Sequence, residues 1–245
     1  MDLHLAGKVF VVSGGLSGIG AAIASVLTAE GATVATLDRQ PGADETVDLA
    51  VEGAASAALS RLLDRLGRLD GLVNNAGVND GVGLRTGDPA AFVRSLRANL
   101  VHYFELAQTA LPHLIATRGA ILNITSKVAQ TGQGGTSGYA AANGGRNALT
   151  REWAVELAPL GVRVNAVVVA ECFTPMYERW LATLPDPTAR KACIESRIPL
   201  GGRMTTPEEI AHAAVFLLSE AASHITGQFL HVDGGYVHLD RAATP

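Results

Sequence analysis

Short apolar runs rich in β-formers alternate with longer helical patterns along the chain, and this rhythm most restricts the folds open to it. The runs are Val9–Ser13, Thr33–Leu37, Leu69–Asn74, Ala120–Thr125, Val162–Val169 and Gln228–Val232. Between them lie Gly18–Glu30, Ala54–Leu66, Pro89–Thr117, Ser137–Leu160 and Pro207–Ser219. Each helical stretch is long enough to carry the chain back and start a parallel neighbour, so the pattern predicts an α/β fold: a doubly wound parallel sheet with helices on both faces. One interval breaks the rule. Only seven residues separate Asp38 from a candidate strand at Thr46–Leu49, fewer than the about 10–12 that a crossover with its helix needs. A loop is expected there.

The 245 residues are 48% apolar, enough to bury one large core. No repeat, low-complexity tract or linker divides them, so 1–245 reads as one domain. Segment 174–202 carries four prolines and two short helical patterns. It reads as an insertion over one end of the sheet, either a substrate-side lid or a packed helical excursion. A net charge of −4 without a basic block gives no purchase for nucleic acid or an anionic membrane. No run approaches a membrane span, and the first residues lack the pattern of a signal peptide. Cys172 and Cys193 fit no metal spacing and no disulfide framework. A cytoplasmic protein without a metal is the expectation.

The first strand runs into Ser13-Gly14-Gly15-Leu16-Ser17-Gly18-Ile19-Gly20, and an Ala-rich helix follows. Glycines here allow a tight turn and close backbone approach, while the helix start offers free N–H groups and a positive dipole end. In its strand–turn–helix context this reads as a dinucleotide-binding turn using Ser13, Gly14, Ser17, Gly18, Ile19 and Gly20. Asp38 ends the second strand, 18 residues after Gly20. A carboxylate there accepts hydrogen bonds from both adenosine ribose hydroxyls and repels a 2′-phosphate, which favours NAD over NADP. Arg39 beside it pulls the other way.

Four landmarks carry a family resemblance: the turn Gly14–Gly20; Asn74-Asn75-Ala76-Gly77 after a strand; Ser126, thirteen residues before Tyr139; and Val232-Asp233-Gly234-Gly235. Together they are highly specific, and the chain resembles the short-chain dehydrogenase/reductase family over nearly its whole length. The resemblance implies a single-domain, seven-stranded Rossmann-type sheet. It further implies that Asp48 and Leu49 flank the adenine, that Asn75, Ala76 and Gly77 line the cofactor, and that Cys172 and Thr174 touch the nicotinamide carboxamide. Family members commonly form homotetramers through the two long helices, here Pro89–Thr117 and Ser137–Leu160. Asn74–Asp80, Thr131–Tyr139, Thr150–Glu156 and Val232–Arg241 are similar to bacterial L-fucose dehydrogenases and related aldose 1-dehydrogenases. A small sugar or polyol substrate is therefore expected, with Glu171 facing it.

The resemblance implies that Tyr139 exchanges the proton, Ser126 holds the substrate oxygen and Asn99 supports a water chain. The family has a Lys four residues after the Tyr, which holds a ribose hydroxyl and favours the phenolate. This chain has Asn143 there. Free tyrosine titrates near ~10, so a missing cation matters: an amide offers a ribose hydrogen bond but no charge. Two readings follow, a dehydrogenase slowed at the proton-transfer step, or a cofactor-binding protein with little turnover that acts as a structural or regulatory partner. Non-redox chemistry on this scaffold is disfavoured by the intact turn and Asp38. Arg146, seven residues after Tyr139, lies on the same helix face but about 10 Å along the axis, far for direct pairing, so a substitute cation there is the lesser reading. Lys127, at a strand end, is expected to point away. Gly144-Gly145 inside the helix costs roughly 1 kcal/mol per residue, for close packing or for a looser site.

Overall fold

The computed structural model describes residues 2–239. The ends of the 1–245 domain, and the last two residues of the Val232–Arg241 match, lie outside the described residues. Seven parallel strands form one sheet in the order β3-β2-β1-β4-β5-β6-β7. They are β1 Val9–Ser13, β2 Thr33–Asp38, β3 Glu45–Thr46, β4 Gly71–Asn74, β5 Ala120–Ser126, β6 Arg163–Val169 and β7 Phe229–Val232. The chain order reverses beside β1, where β2 and β4 flank it on opposite sides. In such sheets the carboxyl ends of the strands at this reversal form a crevice.

Helices α1 Gly18–Ala29, α2 Ala54–Leu66, α3 Pro89–Leu96, α4 His102–Thr117, α5 Val128–Thr131, α6 Ser137–Leu157, α7 Pro175–Ala182, α8 Pro187–Glu195 and α9 Pro207–Leu218 complete the fold. Two apolar layers sandwich the sheet. One joins the strands to α2, α4 and α6 through residues such as Leu59, Leu62, Leu106, Leu114 and Trp153. The other joins them to α1 and α9 through Ile23, Leu27, Ile210 and Leu218. The central strands β1, β4 and β5 are buried on both faces, which is why they read as largely apolar runs rather than alternating ones. Phe104 and Val155 on the two long helices are exposed.

Three features depart from the pattern read in the sequence. The helix expected at Pro89–Thr117 is interrupted by a π-helical turn at Arg97–Val101. One extra residue per turn is invisible to a 3.6-residue periodicity, and it falls on Asn99. The third strand is only Glu45–Thr46, not Thr46–Leu49. Its preceding loop is tied back by Asp44, whose carboxylate accepts from the backbone N–H of Thr36 at 2.8 Å and from the Thr36 hydroxyl at 2.9 Å. A short helix, α5, also follows β5. No helix among the described residues is long and apolar enough to cross a membrane.

The β1/β4 pair is clamped at both ends by side chains. At one end the Asp70 carboxylate accepts from the Val9 N–H at 2.9 Å. At the other, the Ser13 hydroxyl donates to the Val73 carbonyl at 3.3 Å and accepts from Asn75 N–H at 2.9 Å.

Candidate active site

The glycine turn closes on itself tightly. A Cβ on Gly20 would lie 2.0 Å from the Gly14 carbonyl oxygen and 2.5 Å from Asn75 Nδ2, so the helix start and the β4 loop meet over a bare backbone. The Asn75 amide donates to the carbonyls of Ser13 and Gly14, at 3.0 and 3.2 Å. Helix α1 starts at Gly18 without a side-chain cap, since the exposed Ser17 hydroxyl makes no capping bond. A helix start left uncapped, with its dipole aimed at a bare cradle, suits a pyrophosphate. Asp38 is buried; its carboxylate accepts from Leu16 N–H at 3.1 Å and from Gln40 N–H at 3.0 Å, which fixes it against the turn. Arg39 is exposed beside it. These residues fit a dinucleotide: a phosphate cradle with a fixed acid at the neighbouring strand end.

Some expected cofactor contacts point elsewhere. The Ser13 side chain is fully buried and serves β4, as described above. Leu49 packs into the core beneath α2, while Asp48 accepts from Ala50 N–H at 3.0 Å. Cys172 is buried in the α1/α9 layer, and burial pushes its thiol up to about 12. Thr174 is better placed. Its Oγ1 caps α7 by accepting from Tyr177 N–H at 3.2 Å, and its Cγ2 lies 3.4 Å from where a Gly18 Cβ would stand. The first residue of segment 174–202 therefore adjoins the glycine turn. The segment's two helical patterns are α7 and α8.

The catalytic candidates gather on β5, α6 and the π-turn. The π-turn aims Asn99 at the β4 loop: its Oδ1 accepts from Val78 N–H at 2.8 Å, and its Nδ2 donates to the Ser95 carbonyl at 3.0 Å. Tyr139 is half-buried in the first turn of α6. A buried polar ladder holds α6 on the sheet. Asn74 donates to Asn123 at 3.0 Å, Asn123 to the Thr150 hydroxyl at 2.9 Å, and Thr150 to the Arg146 carbonyl at 2.8 Å. Sequence reading did not anticipate this ladder, because its members are polar residues in runs that otherwise read as core. Gly145 accounts for half of the glycine pair: a Cβ there would lie 2.7 Å from Leu100 Cδ2, whereas Gly144 faces open space.

Asn143 and Arg146 contact each other. Asn143 is fully buried. Its Nδ2 donates to the Tyr139 carbonyl at 2.9 Å and its Oδ1 accepts from Arg146 Nη1 at 3.2 Å. Arg146 curls back along the helix and is 3% exposed. Its Nε donates to the Asn99 carbonyl at 2.6 Å, Nη1 to Ile124 O at 3.2 Å and Nη2 to Ala76 O at 3.4 Å. The carbonyl of Asn99 is thus taken by a guanidinium, whose length carries it past its own helical turn.

His102, next to the π-turn, is buried, and its Nε2 lies 3.1 Å from the Ala98 carbonyl. Burial first, and the Arg146 charge second, lower its pKa to about 3. The folded protein keeps this ring neutral, while the unfolded chain takes up a proton below about 6.5. Its contribution is therefore present above pH 6.5 and drains away as pH falls toward 3. His102→Gln should flatten the loss of stability between pH 6.5 and 4, a difference of about 2 kcal/mol at pH 5. Chemical denaturation across that range checks this; equal pH slopes for both proteins would refute it.

Lys127 ion-pairs with Glu171, and its Nζ lies 4.0 Å from the Tyr236 ring centroid. Glu171 also accepts from the Tyr177 hydroxyl at 2.7 Å, so it is no free loop acid. Ser126 lies opposite Val169 in the β5/β6 register, which brings Lys127 and Glu171 together just beyond the strand ends. Tyr177 had no sequence signal beyond its place in the lid.

The family model described as enoyl-(acyl carrier protein) reductase matches residues 14–237. The L-fucose dehydrogenase of Bos taurus is 37% identical, with 96% of this chain and 91% of that protein covered. The cis-4-hydroxycyclohexanecarboxylate dehydrogenase of Sinomonas cyclohexanicum is 38% identical, with 96% and 99% covered. Among solved structures, the ligand-free aldohexose dehydrogenase of Thermoplasma acidophilum superposes with a TM-score of 0.92 over all of both chains, at 29% identity. The cradle, the fold and these likenesses agree: the chain belongs to the short-chain dehydrogenase/reductase family of nicotinamide-dependent oxidoreductases.

Proposed function

We propose that this protein is an NAD-dependent dehydrogenase of a small sugar or polyol, with an L-fucose-like aldose the favoured substrate. The observation that carries the reading is the Lys127–Glu171–Tyr177 set beside Ser126. A charged pair sheltered at the strand ends, with a phenol attached, presents several donors and acceptors within a small space, which suits a ligand carrying several hydroxyls. Two relatives whose names specify sugars support it. NAD, when bound, supplies the hydride acceptor. The start of α1 holds its pyrophosphate and Asp38 its adenosine ribose. Ser126 holds the substrate hydroxyl, and Tyr139 as phenolate takes the hydroxyl proton as the carbon loses hydride. The balance is alcohol plus NAD⁺ to carbonyl, NADH and a proton released to solvent; at C1 of an aldose the product is the lactone.

A panel of aldoses, polyols and cyclic alcohols, assayed with NAD⁺ and NADP⁺ by nicotinamide absorbance, tests this. Turnover of aldoses with NAD⁺ is expected. Preference for a non-sugar cyclic alcohol would displace the substrate assignment. NADH binding without turnover of any alcohol would favour the second reading, a cofactor-binding partner; the absence of a charge at Asn143 motivates it.

Asp38 gives a separate prediction. Removing the fixed carboxylate removes both the ribose acceptor and the repulsion of a 2′-phosphate, with exposed Arg39 left next to it. Asp38→Ser should lower the NAD⁺/NADP⁺ ratio of kcat/KM by about 10- to 100-fold. An unchanged ratio would mean that another group selects the cofactor.

A further inference from the structure

Arg146 is a buried cation without an anion. Among the described residues no carboxylate lies within ion-pair distance of it. Its donors are spread over three backbone carbonyls and Asn143 Oδ1, and its Cζ lies 4.2 Å from the Tyr103 ring centroid. Carbonyl dipoles and a π-face compensate a desolvated guanidinium in part, and a buried charge ordinarily comes with a counter-charge. The titratable groups facing it, His102 and Tyr103 from α4, are both held neutral by burial. A side chain at Gly77 would lie 2.7 Å from Arg146 Nη2, so the guanidinium sits directly under a loop expected to line the cofactor.

We propose that Arg146 is the positioning residue that supplies the counter-charge for the Tyr139 phenolate, with Asn143 as its hydrogen-bonded bridge to the first turn of α6. The lysine-to-asparagine change is then one half of an exchange: the cation has moved three residues along the helix and reaches back from below. Asn143 is required as an acceptor for Arg146 on one side and a donor to the Tyr139 carbonyl on the other, a pairing an amide provides and an ammonium does not. This rests on Tyr139 being the proton-transfer group, and it changes the expectation for Asn143→Lys. That substitution places a second cation beside a buried one and should not raise turnover, although a bare missing charge would predict a gain of orders of magnitude.

Two readouts test the exchange, one independent of any substrate. The absorbance of tyrosinate near 295 nm is titrated in the protein with and without NAD⁺, with Tyr139→Phe subtracted to isolate the Tyr139 step. Arg146→Met should move that step to higher pH by about one pH unit or more, and Arg146→Lys should move it back toward wild type. On the substrate found by the panel, Arg146→Met should lower kcat by about 10²–10³-fold at pH 7, with the deficit shrinking as pH rises. Asn143→Lys combined with Arg146→Met returns the charge to the earlier position and should restore kcat to within about tenfold of wild type. Should Arg146→Met fail to fold, the Arg146→Lys titration and the double variant decide. An unmoved Tyr139 step in folded Arg146→Met, or a large gain from Asn143→Lys alone, would overturn the proposal. If no alcohol is oxidised by any form, the functional reading falls and the titration still judges Arg146.

Discussion

Tyr139→Phe should lower alcohol oxidation by about 10²–10⁴-fold, the range usual for removing a positioned acid/base, and leave NADH affinity within about twofold. Phenylalanine keeps the ring and loses only the hydroxyl. Helix α6 is held by the Asn74–Asn123–Thr150 ladder and by Asn143, none of which uses the Tyr139 side chain. The geometry of the site should therefore survive, and the effect should fall on kcat rather than on folding. Steady-state kinetics beside NADH fluorescence separates the two. Activity within tenfold of wild type would show that the proton leaves by another route.

The second large effect is expected at Gly20. An alanine methyl would stand 2.0 Å from the Gly14 carbonyl oxygen, and a backbone oxygen cannot rotate away as a flexible side chain can. The turn must open, which moves Gly14, Asn75 and the start of α1 together. Overpacking of this kind costs about 1–3 kcal/mol, and the cradle would lose its fit to a pyrophosphate. Gly20→Ala should lower the melting temperature by several degrees and weaken NADH binding by at least about tenfold. Gly144→Ala is the matched control. It sits in mid-helix facing open space, so alanine should stabilise by about 0.5–1 kcal/mol. Equal behaviour of the two variants would mean that the contact at Gly20 is relieved at little cost.

Much of the architecture could be read from the order of the residues, because a parallel sheet imposes a coarse rhythm. Strands buried on both faces must be apolar throughout, and each needs a helical return; both are visible in one dimension. The turn at Gly14–Gly20 is legible because its glycines are contiguous in sequence, and the acid at Asp38 because it ends a recognisable strand, although the turn itself is held by Asn75. The rest depended on reach. The partners of Arg146, three backbone carbonyls and Asn143, have no sequence pattern, because periodicity follows the backbone and a guanidinium extends well past its own turn. Lys127 stands one residue beyond the end of β5, where strand alternation gives no guide to its pairing with Glu171. Ser13, Leu49 and Cys172 were expected at the cofactor by position, but position does not say which way a side chain turns. The π-turn at Asn99 leaves no compositional trace; it is a matter of one extra residue in a helix that otherwise reads as continuous.

The clamped pairing of β1 with β4 has a consequence for how the protein acquires its cofactor site. Phe10 pairs with Gly71, so the centre of the sheet closes only after some sixty residues of intervening chain have been gathered. Loop closure over that distance is an entropic cost met before any contact rewards it, and sheets of this topology fold slowly. The glycine turn is held by Asn75 and Ser13 across that same junction, so it is not a motif that forms by itself on the nascent chain. Ribosome-bound intermediates that end before β4 should carry the glycine sequence and lack the cradle, and the ability to hold a dinucleotide should appear late, with completion of the sheet's centre.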